Sequence, residues 1–507
     1  MHSVPRRGSR SKARPTRRGT VAVIDIGSNS LRLVIYDGVR RSPRTLFNEK
    51  VMCGLGRNLE QTGRLDPDGV AMAFPNLQRF IALARSTGVR RLDVLATAAV
   101  RDASDGRTFV HEIEKRHRLK VKVLAGAEEG RLSAYGVLAG IPEANGVVGD
   151  LGGGSVELVP VAGSQVGAAA TLPIGPLRLA GYAGDDRKLR DTIDKHLGAV
   201  AWLGAKLDGG AFYAVGGAWR ALARIHMEQT RYPLHIIQQY TVPRGEAEDF
   251  LDVIARQSRK SLEKIATVSR KRLDVVPIAA RVLQRLLRRT APKLLVFSAF
   301  GLREGHLFSL LRGDVQRQDP LIAACADLAL ANRRFGADGE ELFEWMSPLF
   351  PDESEPRRRL RRAAALISDV AWQEHPDYRA EQALRSVLYA PVAGLDHHER
   401  AWLAATIHAR YGGNENGNAV LHALLDDDAE ADARMTGMAL RLGYTLSGGA
   451  PGLLGRSKIA VEGSNLVLSL GAEAGRRYGE SVQRRVDALG RALGKRTEVR
   501  GVKSVQG

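Results

Sequence analysis

Cysteine is nearly absent from this chain: Cys53 and Cys325 are the only two in 507 residues. That excludes a disulfide-stapled framework and a cysteine-rich metal site. No apolar run reaches the length that spans a bilayer. Residues 1–18 lack the apolar segment of a secretory signal or an anchor. A soluble protein in the reducing cytoplasm, without a membrane partner, is the expectation. Acidic balance is also missing, since 75 Lys and Arg stand against 56 Asp and Glu, a formal charge of +19.

Such a surplus suits a polyanionic partner: nucleic acid, an anionic membrane surface or a chain of phosphates. Part of it lies in Arg6, Arg7, Arg10, Lys12, Arg14, Arg17 and Arg18, a tail expected to be disordered and solvated. Charge describes attraction and not chemistry, and nothing beyond charge and this tail supports a specific nucleic acid. The length allows several domains with substantial cores. An apolar fraction of 44% and 54 glycines suit an α/β protein with many tight turns.

Two stretches repeat one pattern. Val21-Ala22-Val23-Ile24-Asp25-Ile26-Gly27-Ser28-Asn29-Ser30-Leu31-Arg32-Leu33-Val34 is the first, and Gly146-Val147-Val148-Gly149-Asp150-Leu151-Gly152-Gly153-Gly154-Ser155-Val156-Glu157-Leu158-Val159 is the second. Each reads as an apolar strand ending near an Asp, a Gly-rich turn, a Ser and a second apolar strand, which is a β-hairpin. Glycine permits φ > 0 and a close approach to the backbone. Successive N–H groups can form an anion-binding concavity, and Ser28, Asn29, Ser30 and Ser155 add side-chain hydrogen bonds. Asp25 and Asp150 would repel bare phosphate, so a divalent cation between carboxylate and phosphate is the natural reconciliation. One such hairpin is commonly just a tight turn. Two in register point to phosphate.

Along the chain, Asp66-Pro67 should open a helix that ends near Gly88. Leu92–Ala96 reads as a buried strand leading to Arg101 at its end, Ser104 as the cap of a helix to His117, and Val121–Leu124 as strand. Glu128–Leu138 is expected to be helical, with Leu132 and Tyr135 at core spacing. In the second half the landmarks are a strand at Ala211–Val215, the turn Gly216-Gly217, a helical section over 244–289, a strand at Leu294–Phe297, and Gly301-Leu302-Arg303-Glu304-Gly305. From about Asp314 to Leu425 the pattern is amphipathic helix, and the last segment mixes a strand at Asn465–Leu470, a helix over 473–493 and a short strand. This alternation gives two α/β lobes, a helical domain and a small α+β tail. The expected boundaries are a tail at 1–18, lobes at 19–140 and 141–313, a helical domain at 314–430 and an α+β domain at 431–507.

A hydrolase of phosphoanhydrides must hold phosphate and metal, orient a water and remove its proton. Asp150 and Glu157, on the two arms of the second hairpin, are the metal-site candidates. The equivalent of Glu157 in the first hairpin is Arg32, so one hairpin offers a carboxylate for metal and the other a guanidinium for phosphate. Arg101 is a second phosphate candidate, or else a surface arginine paired with Asp102 or Asp105. Glu128 and Glu129 either complement a helix dipole or supply the general base, for which a crowded acidic site can raise a carboxylate pKa. His397, His398 and His408 are read as structural or surface residues, since no His–Asp doublet is present.

The chain resembles the exopolyphosphatase / guanosine pentaphosphate phosphohydrolase (Ppx/GppA) family. The likeness rests on Ile24 to Arg32, Ala96 to Ala103, Gly126-Ala127-Glu128-Glu129, Gly149 to Glu157 and Gly301 to Gly305, over residues 21–310. It implies a duplicated actin-like (ribonuclease H-like) fold of the sugar-kinase superfamily, a homodimer, and Mg²⁺-assisted removal of terminal phosphate from inorganic polyphosphate, with Mn²⁺ as the alternative ion. By position, Glu129 would be the general base, and Asp150 and Glu157 would lie at the metal. Gly27, Ser28, Asn29, Arg32, Arg101, Gly153, Gly154 and Ser155 would surround phosphate. Gly216-Gly217 matches the nucleoside-binding region, but Ala218-Trp219 departs from it. The helical region resembles the family's HD-like domain, and without the doublet a substrate-holding role is implied.

The expected activity is exopolyphosphatase, with Arg357, Arg358, Arg359, Arg361 and Arg362 holding the rest of the polymer. The alternatives are a guanosine pentaphosphate 5′-phosphohydrolase, acting in the stringent response through the same site, and a non-catalytic ATP-binding switch.

Overall fold

The computed structural model describes residues 19–501 apart from 183, 205–209, 264–272, 333, 337–338 and 414–417. The expected disordered tail, 1–18, lies outside the described residues. The chain divides into two compact units, Met1–Ala125 and Gly126–Gly507.

The first unit is built on β1 (Val21–Ile26), β2 (Leu31–Tyr36), β3 (Thr45–Val51), β4 (Arg91–Ala96) and β5 (Val121–Val123), in the order β3-β2-β1-β4-β5. Neighbours β1, β2 and β3 pair antiparallel, while β4 and β5 run parallel to β1. The near-continuous apolar runs of β1 and β2 follow from burial on both faces. The helix Pro67–Ser86 opens as expected, with the Asp66 carboxylate accepting from Gly69 N at 2.8 Å. Two local readings are corrected. Asp105, not Ser104, precedes the helix Gly106–His117, because the Ser104 hydroxyl donates instead to Gly63 O at 2.8 Å. Arg101 sits in a short helix, Ala98–Asp102, rather than at the end of β4.

The second unit repeats that plan in β6 (Asn145–Leu151), β7 (Val156–Ala162), β8 (Gln165–Val166), β9 (Ala170–Leu172), β10 (Ala211–Val215), β11 (Tyr240–Pro243) and β12 (Leu294–Phe297). Strand β6 has antiparallel β7 on one side and parallel β10, then β12, on the other. Strands β8 and β9 both pair with β7, and β11 is an antiparallel addition beyond β12. The same strand order and directions occur in both sheets, so the expected duplication of an α/β lobe is present.

Glycine sets one helix crossing. The helix Gly126–Gly140 lies against the helix Leu302–Ser309 so closely that a Cβ on Gly305 would fall 1.7 Å from Leu132 O, and one on Gly136 2.2 Å from Gly301 O. This gives the Gly-Leu-Arg-Glu-Gly motif a packing role: Gly305 admits the neighbouring backbone, and Glu304 accepts from Gly301 N at 3.0 Å. Gly305→Ala must push the two helices apart. It should lower stability by about 1–3 kcal/mol, read as a shift of the urea midpoint at unchanged slope.

Downstream, the expected helical section over 244–289 contains separate helices, Arg244–Ala255, Arg259–Leu262 and Val276–Thr290, among the described residues. The helical region that follows shares one core with the terminal sheet. Trp402, Leu403, Ile407 and Leu440 belong to the same buried cluster as Leu466, Leu468 and Val486. That sheet is β13 (Ser457–Glu462), β14 (Asn465–Leu470) and β15 (Arg496–Arg500), in the order β13-β14-β15. The expected boundary at 430/431 falls inside the helix Asp427–Ser447. The expected helix over 473–493 is broken into Ala472–Gly475 and Glu480–Ala492. Between them the Arg477 guanidinium donates to Leu446 O and Leu453 O, at 3.3 and 2.9 Å. Among the described residues no helix is long and apolar enough to cross a membrane.

Candidate active site

The two hairpin turns close identically. Gly27 N donates to Ser30 O at 3.0 Å, and Gly152 N donates to Ser155 O at 3.0 Å. Neither Gly27 nor Gly152 adopts a positive φ, contrary to expectation, and an added Cβ would meet its nearest neighbour at 3.3 and 3.4 Å. Each contact is with the turn's own carbonyl and is tight, so close packing inside the turn, not backbone conformation, favours glycine there. A register follows from the two-residue turns: Asp25 stands directly opposite Arg32, and Asp150 directly opposite Glu157.

In the first unit the turn is braced from behind. Gly56 N donates to Ser28 O at 2.8 Å and Gly54 N to Asn29 O at 3.1 Å. The Arg32 Nε donates to Asn48 Oδ1 at 2.8 Å, and Lys50 faces Arg32 across β3. Lys50 extends the cationic row and was missed, since its register depends on how β3 pairs. Arg101 donates from Nε to Asp102 at 3.0 Å and from Nη1 to Leu124 O at 3.2 Å. Its side chain is 21% exposed.

In the second unit a second segment wraps the turn Gly153-Gly154. Gly175 N donates to Gly154 O at 3.2 Å and Leu177 N to Gly153 O at 2.9 Å. Ser155 beside them is 4% exposed, and its hydroxyl has no hydrogen-bond partner among the described residues. A buried hydroxyl left unpaired is expensive unless a ligand completes it.

The helix Gly126–Gly140 lies across β7 and β9 by means of two glycines. A Cβ on Gly130 would meet Glu157 Cβ at 3.2 Å, and one on Gly126 would fall 2.2 Å from Thr171 Oγ1. Of the glutamate pair, Glu129 is the buried member at 7% exposure, while Glu128 is half-buried. One turn on, the fully buried Ser133 donates its hydroxyl to the Asp150 carboxylate. Ser133 was not found from sequence, although its i, i+4 spacing from Glu129 puts both on one helix face. The structure thus gathers Glu129, Ser133, Asp150, Glu157 and the Ser155 turn on one side of the second sheet.

That donor set suits a hard cation. Asp150 and Glu157 are adjacent carboxylates, with Glu157 only 1% exposed. No group of three or more His, Cys, Asp or Glu able to hold a metal occurs among the described residues. Two carboxylates with the remaining positions left to water and substrate oxygens is the usual arrangement for Mg²⁺ rather than Ca²⁺ or Zn²⁺.

The basic run lies elsewhere, on the helix Glu355–Ile367. Arg361 is buried and bonded to Glu353 at 2.9 Å; Arg362 pairs with Glu340 at 2.7 Å; Arg357 pairs with Asp432 at 3.2 Å and lies over Trp402. Arg359 pairs with Asp319, and the exposed Arg358 stacks over Phe343. These arginines pair with acids and cover aromatics of the helical region, while Arg358 and Arg362 remain exposed.

At the expected nucleoside turn, Gly216 has φ +112 and a Cβ there would meet Leu151 O at 2.5 Å. Trp219 is fully buried, edge-on to Phe212, with Nε1 donating to Ala279 O at 3.0 Å. The departure at Trp219 is therefore a matter of core packing.

His408 pairs with Glu381 at 2.9 Å, and His398 is exposed. His397 is buried between the Tyr232 hydroxyl at 2.9 Å and Gln238 O at 3.2 Å. Burial, helped by nearby Arg400, pushes its pKa down to about 4. Between about pH 6.5 and 4 the unfolded chain binds a proton at this site that the folded chain does not. Stability is therefore full above that window and falls on acidification through it, by about 3 kcal/mol in total. His397→Gln should show a correspondingly shallower loss between pH 7 and 4.5 in urea titrations; an unchanged slope would assign the effect to other groups.

Comparison with known proteins gives consistent matches. A family model described as the Ppx/GppA phosphatase family covers residues 34–313, and one described as exopolyphosphatase, C-terminal, covers 321–500. Retrograde regulation protein 2 of Saccharomyces cerevisiae is 26% identical over 438 residues, 78% of this chain and 73% of that protein. Exopolyphosphatase 1 of Mycobacterium tuberculosis is 25% identical over 299 residues, 56% of this chain and 86% of that protein. The crystal structure of an Aquifex aeolicus member of the Ppx/GppA protein family matches with TM-score 0.50 and 26% identity, over 57% of this chain and 97% of that one. An exopolyphosphatase structure from Cytophaga hutchinsonii gives TM-score 0.53 at 23% identity over the same shares, a likeness of fold alone.

Proposed function

Because this chain belongs to the Ppx/GppA phosphatase family, and is thereby a hydrolase acting on phosphoanhydride bonds, we propose that it is an exopolyphosphatase. It removes the terminal phosphate of inorganic polyphosphate and releases orthophosphate. The observation that carries this reading is the buried hydroxyl of Ser155, without a partner among the described residues, in the turn that joins the strands of the facing pair Asp150 and Glu157.

Glu129 accepts the proton of the attacking water and holds that water for in-line displacement. Within the second unit Ser155 and the turn amides of Gly153 and Gly154 bind phosphate oxygens, and within the first unit the amides of Gly27, Ser28 and Asn29 form a turn of the same kind. In the first unit Arg32 and Arg101 supply positive charge suited to phosphate, each with part of its guanidinium oriented by a protein acceptor. Ser133 holds the Asp150 carboxylate in place. What Mg²⁺, or Mn²⁺, supplies when held by Asp150 and Glu157 is neutralisation of charge on the transferred group.

A second reading, guanosine pentaphosphate 5′-phosphohydrolase, uses the same residues on another anhydride. It is kept because Trp219 is core, so the motif departure at that position does not bear on a nucleoside. Comparing kcat/KM for orthophosphate release from long polyphosphate and from guanosine pentaphosphate decides between them. A higher value for polyphosphate is expected, a higher value for the nucleotide transfers the assignment, and ATP binding without release from either selects the switch.

A further inference from the structure

The helix that carries Glu129 in its first turn is held at its other end by the helical region. It is 15 residues long, a rod of about 20 Å, so an anchor at Gly140 sets the position of the whole element. Carbonyls at a helix C-terminus lack intrahelical donors. Here Gly394 N donates to Gly140 O at 3.0 Å, from a turn in which Gly394 has φ +78. The carbonyl of Gly394 accepts from Arg359 Nη2 at 2.6 Å. The same guanidinium pairs with Asp319 through Nε and Nη2, the latter at 3.2 Å, and approaches Glu399 at 3.6 Å. Asp319 in turn caps the helix Pro320–Ala331 by accepting from Leu321 N at 2.7 Å.

A second strut runs from the same turn. His397 Nε2 meets Gln238 O at 3.2 Å, and Gln238 Oε1 accepts from Ala299 N at 2.9 Å, beside the start of the helix Leu302–Ser309. The Gln238 amide also lies against Gly140, where a Cβ would be 2.7 Å from Nε2. Of the arginines in the basic run, Arg359 is the one bonded to this turn. Its fork reaches Asp319 and Gly394 together, which the single ammonium of a lysine does not reproduce.

We propose that Arg359 is a positioning residue for the hydrolytic reaction, acting from the helical region through Gly394 and Gly140 to fix the helix that places Glu129. The proposal rests on the reading of Glu129 as the general base. It is an alternative, for Arg359, to the polymer-holding role that the basic run suggests. The two roles differ in kinetic signature: a polymer contact acts on KM, and a misplaced base acts on kcat.

The test uses the full chain with long polyphosphate and Mg²⁺. Arg359→Lys keeps a charge opposite Asp319 and guards against simple unfolding, and Arg359→Met removes the fork. For both variants kcat is expected to fall about 10- to 100-fold, the scale of a misplacement near 1 Å. KM should stay within about twofold, because binding common to ground and transition states is untouched, and amide exchange across residues 126–140 should quicken. Full rescue by Arg359→Lys, or unchanged kcat in both variants, overturns the proposal. A raised KM at normal kcat overturns it in favour of polymer binding. Glu129→Gln is measured alongside: wild-type turnover there defeats the base assignment itself, whereas an inactive Glu129→Gln with fully active Arg359 variants defeats the positioning role alone.

Discussion

Glu129→Gln is expected to lower kcat for orthophosphate release by about 10²–10⁴-fold while polyphosphate affinity changes little. The substitution is isosteric and replaces an anionic proton acceptor by a neutral amide. The glutamate helix packs through Gly126, Gly130, Gly136 and the backbone of Leu132 and is anchored at Gly140, all of them contacts other than the Glu129 carboxylate. The Ser133 bond to Asp150, one turn away, should persist. Attraction cannot substitute for the base: a solvated charge pair at 4 Å gives about 1 kcal/mol in water, which sustains binding when summed over many phosphates but lowers no barrier. Steady-state release together with equilibrium binding of labelled polyphosphate checks this. Equal losses in rate and affinity would mean that Glu129 holds substrate or structure instead.

Asp150→Asn should raise the Mg²⁺ concentration needed for half-maximal rate by more than the 10- to 100-fold typical of losing an outer partner. Ser133→Ala, which removes only that outer partner, should fall within that range. Without metal the sign of the stability change reverses the usual expectation. Asp150 and Glu157 are opposite one another on paired strands, and like charges so placed repel. Asp150→Asn should therefore melt at the same or a higher temperature in metal-free buffer, a pattern common for functional groups that strain the fold. A large fall in melting temperature, with metal dependence unaltered, would make Asp150 a structural residue.

The hairpins could be read from sequence because strand periodicity and turn length together fix register. Asp25 with Arg32 and Asp150 with Glu157 are each seven apart around a two-residue turn, and both pairs face each other in the structure. Contacts made by laying one element on another were not readable in the same way. Ser133 gains its role only when a helix is placed over β6, and the glycines of Gly301–Gly305 only when a second helix crosses at Gly136. The basic run shows the limit most clearly. Five arginines from Arg357 to Arg362 carry charge that the sequence displays, but the acidic partners of four of them, Asp319, Glu340, Glu353 and Asp432, lie outside their helix. Local sequence gives the charge of a side chain and not whether the fold has already neutralised it.

Water attacking the terminal phosphorus, with its proton taken by a buried carboxylate, makes a definite isotopic statement. In H₂¹⁸O with Mg²⁺ and long polyphosphate, the wild-type protein should release orthophosphate carrying one solvent oxygen per molecule, with chains shortening from the end. Orthophosphate without solvent oxygen, label retained in the polymer, or no release from polyphosphate at all would contradict the assignment.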